Sequence, residues 1–407
     1  MKTRDDIVKL YGRHLSASAA RLAEHAGLPV EVRSEGARVW DEEGREYLDC
    51  GGYGTFFLGH RHPAVVAALH AQLDRHPLAT RTLLSGELAE AAARLTGIAP
   101  HGLDHVYFAT TGAEAVETAL KLARAAGRRR IVSMRGGFHG KTLGALSVTD
   151  RPVFQQPFRP LLPDVTTVPY GDAGALAEEL AANPARACVI VEPVQGEGGV
   201  VVPPEGYLAD VARECRRAGA FLVVDEIQTG TGRLGGTWWA CDREGVSPDL
   251  LLAGKSLGGG CVAVSAVLGT AEAFRPLDRN ARLHTSTFAG SPLAMAAVTA
   301  TLDAVENELL LERAEHLGGL LLDGLRAASG HPAVRDVRGR GLLLGVELDT
   351  PARAGALVSA LLARGVITAS TLSADRVVRF TPPAVLTDGD ADRIRAAFKD
   401  SIGTLMD

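Results

Sequence analysis

The chain has few cysteines and no closely spaced pair of them. The five are Cys50, Cys188, Cys215, Cys241 and Cys261 in 407 residues. Disulfide frameworks and structural zinc sites both need cysteines at short, regular spacings. The sequence therefore favours reduced thiols, argues against a small disulfide-stabilised secreted domain and predicts no metal site.

Long apolar runs are also missing. No stretch reaches the roughly 20 apolar residues that a membrane helix requires. The N-terminus carries charges of both signs and leads into no apolar signal segment. We therefore expect no membrane partner and a cytoplasmic location.

The chain has no excess of basic charge. Its 43 basic and 48 acidic residues leave a formal net charge of −5, and the only dense basic run is Arg128–Arg130. Nucleic acids and anionic membranes bind basic surfaces. We therefore predict that nucleic acid is not a partner.

Short β-rich runs alternate with helical patterns between about residues 59 and 290. Segments such as 113–126 and Tyr207–Ala218 have apolar residues three and four apart, as an amphipathic helix requires. This alternation predicts an α/β fold with a mostly parallel, helix-covered sheet and ligands beyond the C-terminal ends of its strands. The predicted strands are His105–Ala109, Arg130–Met134, Thr166–Pro169, Ala187–Val191, Phe221–Val224, Leu250–Ala253 and Val262–Leu268.

Both chain ends depart from this pattern. A small hairpin is predicted around residues 37–48, and near the other end two short β-like runs, Leu342–Leu348 and Val377–Phe380, precede a final helix from Asp388. We expect the two ends to combine into a smaller α+β lobe. The predicted segments are 1–58 and 291–407 for that lobe and 59–290 for the large domain.

Two of the predicted strands end at charged residues. Leu250–Ala253 leads through Gly254 to Lys255 and a glycine-rich turn, and Phe221–Val224 leads to Asp225. A pyridoxal phosphate enzyme needs a lysine that forms a Schiff base and a carboxylate that keeps the pyridinium nitrogen protonated. Lys255 alone is more simply a solvent-facing charge, but the pair predicts this cofactor.

Three further strands run into turns suited to the same ligand. Residues 110–113 open a helix whose free amides and positive dipole end can bind phosphate. Phe138 and His139 lie between glycines, where backbone can approach a flat ring closely. Glu192 follows another strand. Each turn alone is equally consistent with an ordinary capped helix or solvated loop.

With these motifs in order, the chain resembles the class III (ω-type) aminotransferases of the fold-type I pyridoxal phosphate enzymes. The resemblance covers nearly the whole chain, and residues 138–149, Pro160–Pro163 and Leu283–Phe288 are most similar to putrescine (diamine) aminotransferases. The main motifs are Tyr47–Asp49 with Leu58–His60, Thr111–Ala115, Phe138–Gly144, Glu192–Glu197, Asp225–Gly230, Lys255 and Val378–Pro383.

The resemblance implies roles for individual residues. Lys255 would bond to the cofactor and move the substrate proton, Asp225 would pair with the pyridine nitrogen, and Gln228 would contact the ring oxygen. Thr287 would reach the phosphate of the neighbouring subunit, which implies a homodimer with shared active sites. The other implied cofactor contacts are Thr111, Gly112, Ala113, Phe138, His139 and Glu192.

The resemblance also implies a device for two substrates. Arg379 would bind the α-carboxylate of 2-oxoglutarate or glutamate in a bidentate fork. Glu197 would pair with Arg379 when an amine without that carboxylate enters, because an unpaired buried guanidinium is costly. We therefore expect a two-stage, ping-pong transfer from a primary ω- or diamine-type amine to a keto acid such as 2-oxoglutarate or pyruvate.

Several positions in the substrate-binding segments depart from the family pattern. Lys141 stands where ornithine- and aminobutyrate-type relatives carry an arginine, which favours the diamine type. Phe57, near Tyr53, occupies a position that is usually polar. Further departures are Ala289, Ser291 and one inserted residue within Gly235–Trp239. They lead us to expect a bulkier or more apolar amine.

Three alternatives stay open at this point. One is an acetylornithine, ornithine or aminobutyrate type of aminotransferase. Another is a pyridoxal phosphate lyase, epimerase or mutase, which needs no keto acid and is therefore disfavoured by Glu197 and Arg379. The third, a non-catalytic scaffold, is disfavoured because every cofactor position is retained.

Overall fold

The computed structural model describes residues 2–183 and 186–405. Residues 1, 406 and 407, at the outer ends of the predicted terminal segments, lie outside the described part. The strands are β1 (Glu31–Glu35), β2 (Arg38–Asp41), β3 (Glu46–Asp49), β4 (His105–Ala109), β5 (Arg130–Met134), β6 (Val165–Val168), β7 (Ala187–Val191), β8 (Phe221–Asp225), β9 (Leu250–Ala253), β10 (Ser265–Gly269), β11 (Val334–Arg340), β12 (Leu343–Leu348), β13 (Val366–Ile367), β14 (Ala369–Ser370) and β15 (Val377–Phe380). The helices are α1 (Arg4–Leu10), α2 (Ala17–His25), α3 (Pro63–Arg75), α4 (Gly86–Thr96), α5 (Gly112–Ala125), α6 (Leu143–Val148), α7 (Pro152–Gln155), α8 (Ala173–Ala182), α9 (Tyr207–Ala218), α10 (Ala271–Arg279), α11 (Pro292–Asn307), α12 (Leu310–Ala327), α13 (Pro351–Ala363) and α14 (Asp388–Ile402).

The central sheet has seven strands in the order β4-β10-β9-β8-β7-β5-β6. Strand β10 is antiparallel to both of its neighbours, and the other neighbouring pairs are parallel. The C-terminal ends of β4, β5, β7, β8 and β9 therefore lie at one edge of the sheet. The predicted mostly parallel α/β sheet is confirmed.

The central strands are buried on both faces. All residues of β5, β7, β8, β9 and β10 are buried, which is why these strands read as continuous apolar runs rather than alternating ones. One face packs on a core that includes α5, and the other packs on a core that includes α9. The helical layers hold the sheet edge in a fixed position.

Residues from both chain ends share one small sheet, β1-β2-β3-β13, and one core, while the other small sheet, β11-β12-β15-β14, comes from the C-terminal segment alone. Strand β13, from the C-terminal segment, pairs in parallel with β3. It therefore extends the sheet that contains the predicted hairpin β2–β3. Leu48 and Phe57 pack in the same core as Leu344 and Phe398. The division at residues 58 and 290 is our proposal, and α11 contributes to both this core and the core of the large sheet.

No helix within the described ranges is long and apolar enough to cross a membrane. The same residues contain no group of three or more His, Cys, Asp or Glu side chains that could hold a metal ion.

Candidate active site

Five of the strand ends surround one cavity of about 200 Å³. It lies beyond the C-terminal edge of the central sheet, where the fold predicts ligands. Its lining residues are Gly112, Ala113, Phe138, His139, Gly140, Glu192, Asp225, Ile227, Gln228 and Lys255. The structure therefore brings most of the predicted cofactor contacts together.

Asp225, the last residue of β8, is held on both carboxylate oxygens. Oδ2 lies 2.7 Å from Nδ1 of His139, and Oδ1 accepts a hydrogen bond of 3.1 Å from the Ile227 amide. Burial alone would lower the pKa of His139, but the hydrogen bond and charge of Asp225 outweigh it and raise that pKa. The pair fixes a carboxylate in a buried position at the floor of the cavity.

His139 is itself oriented from behind. Its backbone amide donates to Oγ1 of Thr149 over 2.9 Å, and its ring is buried. Its Nε2 has no hydrogen-bond partner within the described chain. A buried, unpartnered ring nitrogen beside a cavity marks a place for a polar ligand group or water.

Glu192 shapes the adjoining loops. Its carboxylate accepts hydrogen bonds from the amides of Phe138 (2.9 Å) and Gly196 (3.2 Å). Burial raises the pKa of Glu192 to about 7, against the opposing charge of His139. The side chain thus ties the Phe138 turn to the loop that carries Glu197.

Lys255 follows β9 in a conformation that is uncommon for a residue with a side chain. Its φ angle is +46°, in the left-handed region, which costs about 1–3 kcal/mol and recurs at functional sites. Desolvation lowers the pKa of the Lys255 amine, against the opposing charge of Glu197. The amine is therefore more readily neutral than an exposed lysine would be.

The start of α5 presents two free amides to the cavity. Thr111 caps the helix: its Oγ1 accepts from the Glu114 amide, while the Glu114 carboxylate accepts from the amides of Thr110 and Thr111. The capping box thus pairs the amides of Thr110 and Thr111. The amides of Gly112 and Ala113, at the positive end of the helix dipole, are left for an anion.

Glu197 and Arg379 form a buried ion pair. A guanidinium nitrogen of Arg379 contacts one carboxylate oxygen of Glu197, and both side chains are almost fully buried. The other oxygen accepts a hydrogen bond of 2.9 Å from the Leu372 amide. The predicted pairing of these two residues is present in the structure.

Tyr53 contacts both Gln228, which lines the cavity, and Arg379 of this ion pair. Gln228 donates from Nε2 to the Tyr53 carbonyl over 3.4 Å, and the Tyr53 ring lies 5.5 Å from the guanidinium carbon of Arg379. Half of the Tyr53 side chain is exposed. Tyr53 therefore connects the lining of the cavity with the Arg379 guanidinium.

Two positions in the segments expected to shape the substrate entrance lie away from the cavity. Phe57 is fully buried in the core of the smaller lobe. Trp239, in the segment with the inserted residue, is also fully buried and donates from Nε1 to the Ile98 carbonyl over 2.7 Å. Neither ring shapes an entrance, so the structure gives no support from these positions for a bulkier amine.

Lys141 and Thr287 are exposed. The Lys141 ammonium lies 4.0 Å above the Phe154 ring rather than inside the cavity. Thr287 lines a separate groove with Ala289 and Ser291, and its carbonyl accepts a weak hydrogen bond from Arg81. In this chain Thr287 is therefore not among the residues around Lys255.

Three residues near the site were not predicted from the sequence. Tyr170 donates to the Glu192 carbonyl, Thr149 orients His139, and Arg233 donates to the Gly54 carbonyl. No pattern marked Thr149 or Tyr170. Arg233 follows the Asp225–Gly230 motif closely, and that proximity was an available signal.

Comparison with known proteins identifies the family. The family model described as Aminotransferase class-III matches residues 21–402. The chain belongs to the class III aminotransferases. It is 41% identical to a putrescine aminotransferase from Pectobacterium atrosepticum over 93% of this chain and 84% of that protein.

Solved structures agree with this assignment. An (S)-enantioselective omega-transaminase from Thermomicrobium roseum superposes with a TM-score of 0.93 at 30% identity, with all of both chains covered. The ornithine aminotransferase of Toxoplasma gondii, which has partial occupancy of pyridoxal phosphate at its active site, gives 0.88 at 36% identity over 99% of this chain and 98% of that chain. The predicted fold-type I architecture and transaminase class are confirmed.

The family uses pyridoxal phosphate, and the cavity of this aminotransferase fits that group. It offers an amine at Lys255, a buried carboxylate at Asp225 and free helix amides at Gly112 and Ala113. The buried Nε2 of His139, without a partner among the described residues, also calls for a polar group or water beside the cavity.

Proposed function

We propose that this aminotransferase takes an amino group from a primary ω- or diamine-type amine. It then passes that group to a keto acid such as 2-oxoglutarate or pyruvate in a second half-reaction. The observation that carries the proposal is the buried pair of Glu197 and Arg379 close to Lys255.

A buried guanidinium has to be paired in each half-reaction. Removing the partner of a buried charge costs about 3–5 kcal/mol, so Arg379 needs an anion at all times. Glu197 supplies it when an amine without a carboxylate is present, and the keto-acid carboxylate replaces Glu197 in the other half-reaction. A lyase or epimerase has no comparable need for two alternative anions.

The remaining site residues are proposed to hold the cofactor and move protons. Bound pyridoxal phosphate supplies an aldehyde that takes up amines and a ring that withdraws electrons. Asp225 holds a proton at the ring nitrogen, Gln228 contacts the ring oxygen, and Phe138 with His139 borders a ring face. The amides of Gly112 and Ala113, with the Thr111 hydroxyl and Thr287 of a partner subunit, bind the phosphate, while Glu192 holds the Phe138 turn.

Lys255 acts as nucleophile and proton carrier. Its lowered pKa provides the neutral amine that both tasks need. The strained backbone and the following 3₁₀ turn, Lys255–Gly258, fix the side chain at the mouth of the sheet. The same amine can therefore attack the cofactor aldehyde and carry a substrate proton.

The amine is proposed to be of the diamine type. The 41% identity to a putrescine aminotransferase supports this choice. Tyr53 borders the substrate side of the cavity, and the exposed Lys141 with Phe154 stands further out, where a distal group of the amine would lie. The observation on the side of the ornithine-type alternative is the structural similarity to the T. gondii ornithine aminotransferase.

We also propose a homodimer with shared active sites. A groove of about 600 Å³, lined by residues 78–92, 106–108 and 287–291, contains exposed apolar side chains. Leu83 is 76% exposed, Leu84 is fully exposed and Phe288 is 61% exposed. Apolar surface of this kind typically marks an interface, and a second copy seated here would cover it while bringing Thr287 towards the partner's phosphate site.

Replacing Arg379 tests the proposal. Arg379→Ala should slow the keto-acid half-reaction at least about 100-fold, since a charge-assisted bidentate contact is lost, and should affect the amine half-reaction less. The measurement is stopped-flow absorbance of the bound cofactor, with each substrate added singly. Arg376→Ala, at an exposed arginine three residues away, is the matched control. An unchanged keto-acid rate in Arg379→Ala would refute the proposed acceptor site.

A substrate panel decides the amine. Diamines, ω-amino acids and larger amines are added singly to the cofactor-loaded enzyme, and conversion to the aminated cofactor is followed. The proposal is supported if diamines convert the cofactor fastest and a keto acid then restores its aldehyde form. A preference for ornithine would favour the alternative. Repeated turnover of the amine without keto acid, with the cofactor left in its aldehyde form, would favour a lyase.

A further inference from the structure

Arg233 is a fully buried arginine without a carboxylate partner. Its side chain has no exposed surface, and no carboxylate among residues 2–183 and 186–405 forms an ion pair with it. Burial lowers the pKa of Arg233 to about 9, with the charge of Asp49 acting against this shift. An isolated buried charge is costly, so its retention calls for a compensating task.

Its guanidinium donates only to backbone carbonyls. The acceptors are the carbonyls of Gly54 (3.0 Å), Pro382 (2.5 Å) and, more weakly, Leu342 (3.4 Å). These carbonyls belong to three segments that are far apart in the sequence. The planar fork of an arginine can bridge such acceptors, whereas a lysine ammonium cannot span them with the same geometry.

One acceptor, Gly54, lies in residues 50–57, which we term the active-site arch. Another, Pro382, lies in the segment after β15. The arch is fixed at both ends to the segment after β15. The Thr381 amide donates to the Cys50 carbonyl over 2.7 Å, and the Ala384 amide donates to the Phe57 carbonyl over 2.8 Å. Arg233 joins Gly54 to Pro382 between these two attachments, so it supports the middle of the arch.

The middle of the arch is the part that borders the catalytic groups. Tyr53 has a φ angle of +53°, and its ring lies 5.5 Å from the Arg379 guanidinium. A Cβ atom added to Gly54 would lie 3.8 Å from Cδ of Lys255. A strained turn in this position needs support from its surroundings, and Arg233 provides two-sided support.

Phe57 completes the support from inside the lobe. Its ring lies 5.2 Å from the guanidinium carbon of Arg233, an arrangement that stabilises a desolvated cation. The Phe57 ring thus contacts the arginine rather than a substrate. This packing explains why a phenylalanine stands at position 57, where the family usually has a polar residue.

We propose that Arg233 is a positioning residue that holds the active-site arch against the segment after β15 and so fixes Tyr53 over the carboxylate-binding Arg379. The inference rests on the proposed role of Arg379 in keto-acid binding. Displacement of a substrate-positioning group by about 1 Å can cost about 100-fold in rate. Loss of Arg233 should therefore affect the acceptor half-reaction most.

The test compares Arg233→Met with Arg128→Met in the cofactor-loaded enzyme. Arg128 is also buried, stacks on Phe221 at 3.8 Å and donates to a backbone carbonyl. Unlike Arg233 it pairs with a carboxylate, that of Glu272, and it is not among the residues lining the cavity. We expect Arg233→Met to lower kcat/KM for the keto acid about 10- to 100-fold. The fold-loss in kcat/KM for the amine should be at least about tenfold smaller. Hydrogen exchange should accelerate in residues 50–57 of Arg233→Met, and not in those of Arg128→Met.

Two further variants keep the inference testable if Arg233→Met does not fold. Arg233→Lys keeps the charge without the fork and should recover only part of the keto-acid rate. Phe57→Leu removes the ring and should produce a smaller loss of the same kind. Full recovery with lysine, equal losses in both half-reactions or unchanged exchange in the arch would overturn the inference.

Failure of this inference is distinguishable from failure of the proposed function. If Arg379→Ala loses the keto-acid half-reaction while Arg233→Met does not, only the positioning role of Arg233 is wrong. If Arg379→Ala retains that half-reaction, the proposed acceptor site itself is wrong.

Discussion

Two buried glutamates illustrate how side chains of one type serve different purposes in this enzyme. Glu192 accepts hydrogen bonds from two loop amides beside the cavity, whereas Glu226 accepts from Oγ1 of Thr229 and the amide of Cys241. Burial raises the pKa of each carboxyl group to about 7. Both groups therefore bind a proton more tightly in the folded chain than in the unfolded chain.

The pH dependence of stability should report this difference in proton affinity between the folded and the unfolded chain. A carboxyl group with a raised folded pKa stabilises the fold least when it is ionised, so stability falls as pH rises from about 4.5 towards 7. In Glu226→Gln the amide oxygen can still accept from Cys241 and its NH₂ group can donate to the Thr229 hydroxyl. We expect this variant to show a smaller decline in unfolding free energy between pH 5 and 7, measured by urea unfolding.

The control is Glu315→Gln, at an exposed position. It should retain the full decline. Glu192 remains in both variants, so the slope in Glu226→Gln should be reduced rather than abolished. A slope equal to that of the unaltered enzyme would show that Glu226 does not titrate in this range.

Individual site residues were predictable where neighbouring sequence marked them. Asp225 and Lys255 end apolar runs, and their side chains line one cavity because parallel strands share an edge. Phe57 was misplaced because sequence does not tell a core ring from an entrance ring. Arg233 was overlooked because its partners, Gly54 and Pro382, are distant in the chain. The assignments of function to these residues remain proposals.

At the scale of elements, prediction succeeded where burial was complete. Arg130–Met134, Ala187–Val191 and Leu250–Ala253 have the predicted bounds and are buried throughout. Val262–Leu268 was placed too early, since β10 begins at Ser265 after a turn. Strands β1 and β11 were missed because they are exposed, charged edge strands with little apolar signal.

The packing of the Gly140 turn against α5 gives an element-scale prediction. Gly140 has a φ angle of +126°, and an added Cβ would lie 2.8 Å from Cβ of Ala113, in the first turn of α5. Gly140→Ala should displace the amides of Gly112 and Ala113 and weaken pyridoxal phosphate binding about tenfold. The measurement is a spectroscopic titration of the apoenzyme with the cofactor.

The matched control is Gly102→Ala. Gly102 also has a positive φ angle, +87°, but an added Cβ there meets no atom within 4 Å. Both variants should lose about 1 kcal/mol of stability from backbone strain. Equal cofactor affinity in the two variants would contradict a role for this contact in shaping the phosphate site.

At the scale of the whole molecule, the candidate site lies where the two parts of the chain meet. Asp225 ends β8 of the central sheet and Lys255 follows β9, while Arg379 belongs to β15 of a smaller sheet. The segment that carries Thr287 instead lines the apolar groove on the outside. In the proposed homodimer, a second copy would bring Thr287 from that groove to the phosphate site of its partner.

Mixing two inactive variants tests whether the sites are shared. Lys255→Ala lacks the catalytic amine, and Thr287→Asp places a negative charge against the phosphate. If Thr287 serves the partner subunit, a heterodimer of the two variants contains one intact site and one site with both defects. Joint refolding in equal amounts should restore about a quarter of the normal activity, because half of the dimers are mixed and each has one intact site. If Thr287 served its own chain, every site would carry one defect and no activity would return. Refolding each variant alone controls for recovery without exchange, and sedimentation establishes that dimers have formed.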